Sequence, residues 1–248
     1  MDGLSLGRGD KASPDVYAVG VDEDFASRAD ELNETPARDH ALVVGMAALQ
    51  AVPVIGGVVA TFISEYVPRK KQERLVDFVQ GLSREFVAEQ ERIDREFVRT
   101  RDFDRMVEDV LDRVQTVRNE DKLGYWAALL AGVATTDRPN ASDRNRMIET
   151  LDGLRPEHFR LLHVIATTNE PPPGLYAGGV SSTLDWKMPD VPQDEARRLW
   201  NELARFDLVG SYPSGTMTAS GAGNLAGRLT PYGQGFVHLL RLEAGYQD

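Results

Sequence analysis

The longest run without a charged side chain, Ala41 to Ser64 (ALVVGMAALQAVPVIGGVVATFIS), constrains this chain more than any other feature. About 20 apolar residues cover the hydrocarbon core of a bilayer, so the run has the length of a membrane-crossing helix. Pro53, near its middle, removes a backbone donor and crowds the preceding turn, and Gly56-Gly57 follow closely. The run then divides into halves, roughly 41–51 and 54–66, each with the length of a buried core helix. Two arrangements satisfy this pattern. One is a helical hairpin hinged at Pro53, Gly56 and Gly57 and packed inside a bundle. The other is a segment inserted into a membrane. Pro68-Arg69-Lys70-Lys71 comes next. Beside a membrane, the basic turn Arg69, Lys70, Lys71 holds the following chain on the cytoplasmic side. In a packed bundle it opens a helix with Pro68 in the first turn.

Composition narrows the classes around this run. Apolar content of 42 % and charged content of 27 % over 248 residues are those of a globular protein with a substantial core. Cysteine is absent, which removes disulfides, thiolate metal sites and a cysteine nucleophile and suits a reducing cytoplasm. The N-terminal residues show no basic run followed by an apolar core, so no secretory signal is expected. The net charge of −11 divides as −6 over residues 1–40, −2 over 41–150 and −3 over 151–248. No region is basic. Non-specific nucleic-acid binding draws most of its affinity from neutralised phosphates, so nucleic acid is not an expected partner.

Residues 1–38 combine scattered glycines and prolines with Asp22-Glu23-Asp24 and show no sustained periodicity, which predicts an acidic flexible tail with a short helix at 23–32. From Lys70 to about Thr100, apolar residues recur three and four apart at Leu75, Val79, Leu82, Phe86, Ile93 and Phe97, predicting one long amphipathic helix. A break at 99–104 and a second helix from Phe103 to Val117 follow. Asp121 to Thr135 reads as a buried helix, and Ser142 as the N-cap of a helix ending at Asp152-Gly153. Pro156 opens the next helix. The prolines and glycines of EPPPGLYAGG then predict an irregular loop, before short and longer helices at 181–186 and 193–206. A Gly/Ser/Thr-rich stretch reads as a hairpin, and 234–242 as the last helix.

Chemistry-bearing constellations are sparse. His158 and His163 stand five apart, which turns them to different helix faces and makes a poor metal pair. Gly178-Gly179 and Gly221-Ala222-Gly223 lack the spacing of a phosphate loop, and no nucleophile elbow is present. The expectation is a protein that is not an enzyme, with no cofactor, no metal and no catalytic residue.

Two segments carry resemblances. AVPVIGG, the basic turn, two charged helices, DKLGYWAALLAG and LDGLRPEHFRLL, over about 41–165, are similar to a group of uncharacterised bacterial helical proteins, with no established activity attached. The proline-and-diglycine break is also similar to the insertion hairpins of helical pore-forming proteins. Over roughly 154–243, the order of elements, with LWNELARFDLV and LTPYGQGFVHLL, resembles a winged helix-turn-helix. That resemblance implies a recognition helix presenting Arg197, Arg198, Asn201 and Arg205. Asp194, Glu195, Glu202 and Asp207 surround them and are expected to repel phosphate.

The expected fold is mainly α: a flexible acidic tail (1–38), a helical bundle around the apolar hairpin (39–152) and a small winged-helix-like α+β domain (153–248). The expected function is a non-enzymatic, membrane-active effector or defence-type protein with a sheltered hairpin, cytoplasmic or membrane-associated, partnered by a membrane, a protein or a second copy of itself. The alternatives are an oligomeric scaffold or adaptor with the hairpin as permanent core, or a winged-helix DNA-binding regulator.

Overall fold

The computed structural model describes residues 72–117 and 121–243. The hairpin hinge Pro53, Gly56 and Gly57, the basic turn Arg69, Lys70 and Lys71, and the acidic leader lie outside the described residues. What is described is mainly helical: nine α-helices, two 3₁₀ turns and one two-stranded sheet.

Helix α1 (Gln72–Ala88) buries Leu75, Phe78, Val79, Leu82 and Phe86, the three-and-four spacing of its sequence. It ends twelve residues before the periodicity does. The cause lies at Asp94, whose carboxylate accepts from the backbone N–H groups of Glu96 and Phe97, both at 3.0 Å. Such local bonds compete with helix continuation. Ile93 forms an antiparallel bridge with Thr135 instead, through Asp94 N–H to the Ala134 carbonyl (2.9 Å) and Thr136 N–H to the Arg92 carbonyl (2.9 Å). Ile93 and Phe97 still face the core, which explains why the spacing runs on through a non-helical segment.

Helix α2 (Arg101–Thr116) is capped by Thr100, whose hydroxyl accepts from Phe103 N–H. Its strongly one-sided face buries Phe103, Met106, Val107, Val110, Leu111 and Val114. Helix α3 (Asp121–Val133) has apolar residues on several sides and is sequestered accordingly, with α1, α2, α4 (Ala141–Gly153) and the last described helix, Pro231–Leu239, packed around it. The N-cap of α4 is Asn140, accepting from Asp143 N–H at 3.0 Å, and not Ser142, which lies within the first turn.

Pro156 opens α5 (Pro156–Thr167) as expected. The proline- and glycine-rich segment after it is not wholly irregular: Ala177–Gly178 (β1) pairs antiparallel with Met217–Thr218 (β2). Helix α6 (Val180–Lys187) and α7 (Gln193–Arg205) follow, with α7 packed on both α5 and α6. The Gly/Ser/Thr-rich stretch is more elaborate than a hairpin. It holds β2, the one-and-a-half-turn α8 (Ala219–Gly223) and a 3₁₀ turn at 226–228, pinned by Thr183 Oγ1 to the Ala222 carbonyl (2.9 Å).

Val209 and Leu229 form a second antiparallel bridge, flanked by Gly210 N–H to the Arg228 carbonyl and Thr230 N–H to the Leu208 carbonyl. Helix α9 (Pro231–Leu239) starts there, with Thr230 as its N-cap. The run Leu229-Thr230-Pro231-Tyr232-Gly233 thus has a physical reading. Leu229 closes the bridge, Thr230 caps the helix and donates to the Asp207 carbonyl, and Pro231 fills a first-turn position that needs no donor. Gly233 lies so near Leu208 that a Cβ there would stand 1.9 Å from the Leu208 carbonyl oxygen. One hydrophobic cluster runs from Leu75 to Leu242, and α9 joins it by packing on both α3 and α5.

Candidate functional site

Helix α7 places the four residues expected on a recognition helix. Ala196, Leu199, Trp200 and Leu203 anchor it in the core, and Trp200 Nε1 donates to the Gly210 carbonyl at 2.9 Å. Arg197, Arg198, Asn201 and Arg205 are exposed on its other side. They differ in what holds them. The Arg197 guanidinium lies 4.9 Å from the Tyr212 ring centroid, and Tyr212 stands edge-on to Trp200. Arg198 is bound by Glu195 and reaches Glu202 at 3.4 Å. The acids expected to repel phosphate are largely engaged: Glu195 by Arg198, Glu202 by Arg155 at 2.8 Å, Asp207 by Arg146 at 3.2 Å. Arg146, brought in from α4, adds a positive charge beside this helix that lies outside the 151–248 segment.

The tie between α5 and α7 is His158, 2 % exposed. Its Nδ1 accepts from Arg155 N–H at 3.0 Å, and its Nε2 lies 2.7 Å from Glu202 Oε2. Those two bonds fit the neutral tautomer carrying its proton on Nε2. Burial lowers the imidazole pKa and nearby Arg155 adds to that, against the raising effect of Glu202. Burial raises the Glu202 carboxyl, but the bonds from His158 and Arg155 outweigh it and hold the group below the usual carboxylate range. His163 faces another way, its Nδ1 2.6 Å from the Leu242 carbonyl oxygen. The five-residue spacing separates the two rings as expected. Among the described residues no three His, Cys, Asp or Glu side chains gather as a metal site.

Two clefts open on the described surface. One, of about 330 Å³, lies where α3 meets α9 and the turns after α1. Its two arginines are paired, Arg92 with Glu89 and Asp137, and Arg241 with Glu85 and Glu89. The other, of about 400 Å³, lies between α2 and the first turns of α4 and is lined in part by Arg144. Arg144 is 8 % exposed. Its Nη1 donates to the Pro139 carbonyl at 2.9 Å, and among the described residues its Nε has no acceptor and it forms no ion pair. The Phe97 ring is shared between Arg144 (4.8 Å) and Arg138 (4.1 Å), and Arg138 alone has a carboxylate, Asp94 at 2.6 Å. Burial and Arg138 both depress the Arg144 pKa, with Asp102 acting the other way. The sequence carried a signal for this residue: Arg144 falls on the same face as Met147, Ile148 and Leu151, where a charge has to be buried.

Among the described residues no helix is long and apolar enough to cross a membrane. No family model, no curated protein and no solved structure matches this chain.

Proposed function

We propose that the chain is a non-enzymatic effector whose working element is the charge-free run Ala41–Ser64, carried on the helical body and directed at membranes. The observation that carries this reading is the contrast between that run and the body. Helices α1, α2 and α7 each bury an apolar face and turn charge outward, and no described helix is apolar enough to cross a bilayer. Ala41–Ser64 is then the chain's candidate for partition into lipid, and Arg69-Lys70-Lys71 supplies a basic flank suited to anionic headgroups.

The test is flotation of the full chain with anionic vesicles, alongside circular dichroism. Val54→Asp is expected to abolish flotation while leaving the helical signal intact. Loss of fold on that substitution would favour the scaffold, because a charge buried unpaired in a packed hairpin costs several kcal/mol.

A second reading rests on a different observation. The order α5, β1, α6, α7, the Val209–Leu229 bridge and α9 supports a winged-helix reading, and α7 turns Arg197, Asn201 and Arg205 outward while Glu195, Glu202 and Asp207 are ion-paired. This supports a docking role for α7 toward a protein or a second copy of the chain. Duplex DNA is expected to bind weakly at physiological salt, since residues 151–248 carry −3. Micromolar affinity with a steep salt dependence in a gel-shift series would instead make the protein a DNA-binding regulator.

A further inference from the structure

The cleft between α2 and α4 holds a guanidinium that makes no close ion pair among the described residues, its nearest acting carboxylate being Asp102. Arg144 is buried, makes no ion pair among the described residues, and spends on a hydrogen bond only Nη1, which donates to the Pro139 carbonyl. Its stacking on Phe97 recovers part of the desolvation cost but is shared with a second guanidinium, Arg138. A buried guanidinium with unused donors suits a planar oxyanion, which it can grip through two parallel bonds. Two further features narrow the ligand. Asp102 and Asp109 also line the cleft. Asp109 is tied to Arg113, whereas Asp102 is held only loosely, 4.0 Å from Arg105 with both side chains mostly exposed. A simple anion would meet Asp102 unfavourably. A ligand carrying an amine beside its carboxylate would satisfy both ends. Met106, Ala141 and Ile148 supply the apolar part of the lining, beside Arg105 and Asn145. A volume of about 400 Å³ lies within the usual range for small-molecule sites.

We propose that this cleft binds a small zwitterion of the α-amino-acid class with an aliphatic side chain, its carboxylate set against Arg144, its ammonium against Asp102 and its side chain along Met106 and Ile148. Isothermal titration of the full chain with leucine tests it, with 4-methylpentanoate and isoamylamine as the carboxylate-only and amine-only halves at matched ionic strength. Leucine is expected to bind saturably, and each half at least tenfold more weakly. Asp102→Asn, on an exposed residue, should weaken leucine binding tenfold or more and leave 4-methylpentanoate unchanged or improved. Arg144→Lys, checked for fold by circular dichroism, should lose leucine and carboxylate binding together. Absence of saturable leucine binding overturns the proposal. So does equal affinity for 4-methylpentanoate, or leucine binding that survives Asp102→Asn undiminished.

Discussion

Asp207 and Arg241 are the two non-glycine residues with positive φ among those described, at 59° and 55°. Each follows a helix end closed by the same paired bonds. Asp207 N–H goes to the Ala204 carbonyl and Leu208 N–H to Leu203, while Arg241 N–H goes to His238 and Leu242 N–H to Val237. That left-handed position favours glycine. Asp207→Gly is expected to stabilise the protein by about 0.5 kcal/mol, the relief of backbone strain exceeding the loss of an exposed pair with Arg146. Arg241→Gly should give no such gain, because it severs bonds to Glu85 and Glu89. Denaturant midpoints of the two variants read the difference directly. Gly233→Ala pushes a methyl group into the Leu208 carbonyl, and neither backbone can yield cheaply. A loss of about 3 kcal/mol or more is expected from the shift in urea midpoint. The motif around Gly233 was readable as a pattern, but its cause was not, since the clash partner lies 25 residues earlier in another element.

Between elements, His158 makes the α5–α7 contact sensitive to pH. Its folded pKa is lowered, so the unfolded chain takes up a proton near pH 6.5 that the native state refuses. Stability is therefore expected to fall as pH drops through about 6.5, well above the range in which Glu202 and other carboxylates titrate. His158→Gln should flatten the dependence between pH 7.5 and 5.5 in urea titrations. An unchanged slope would mean that another group carries it. What could be read of the elements in advance follows a simple division. Helix cores with regular spacing, such as 101–116 and 193–205, were legible because their period is local. The end of α1 at Ala88 was not, because the Asp94 turn and the Ile93–Thr135 bridge preserve the apolar spacing while changing the backbone. Strand β1 hid in a proline- and glycine-rich loop because its partner, Met217–Thr218, is distant in sequence. The candidate site was legible only in part. Arg197, Arg198, Asn201 and Arg205 do share the outward face of α7, but the pairing of their neighbouring acids required knowing that Arg155 and Arg146 arrive from α5 and α4.

On the scale of the whole described body, the last residues return to the first helix. Arg241 bonds to Glu85 of α1 and to Glu89 just after it, and α9 lies against α3. During synthesis, at about 5–20 residues per second, the chain between Glu89 and Arg241 takes roughly 8–30 s to appear. Throughout that interval the surface of α3 that α9 will cover stays open, so completion of the body waits until the segment 231–242 has been made. Ribosome-bound chains halted before Thr230 are expected to be cleaved readily by protease, and chains with Leu242 beyond the ribosome to resist. Equal resistance of both would place completion earlier. If the body does close last, the charge-free run, made within the first 64 residues, leaves the ribosome well before the body behind it can fold. A nascent chain with that order of events would meet membranes or chaperones through its most apolar segment first.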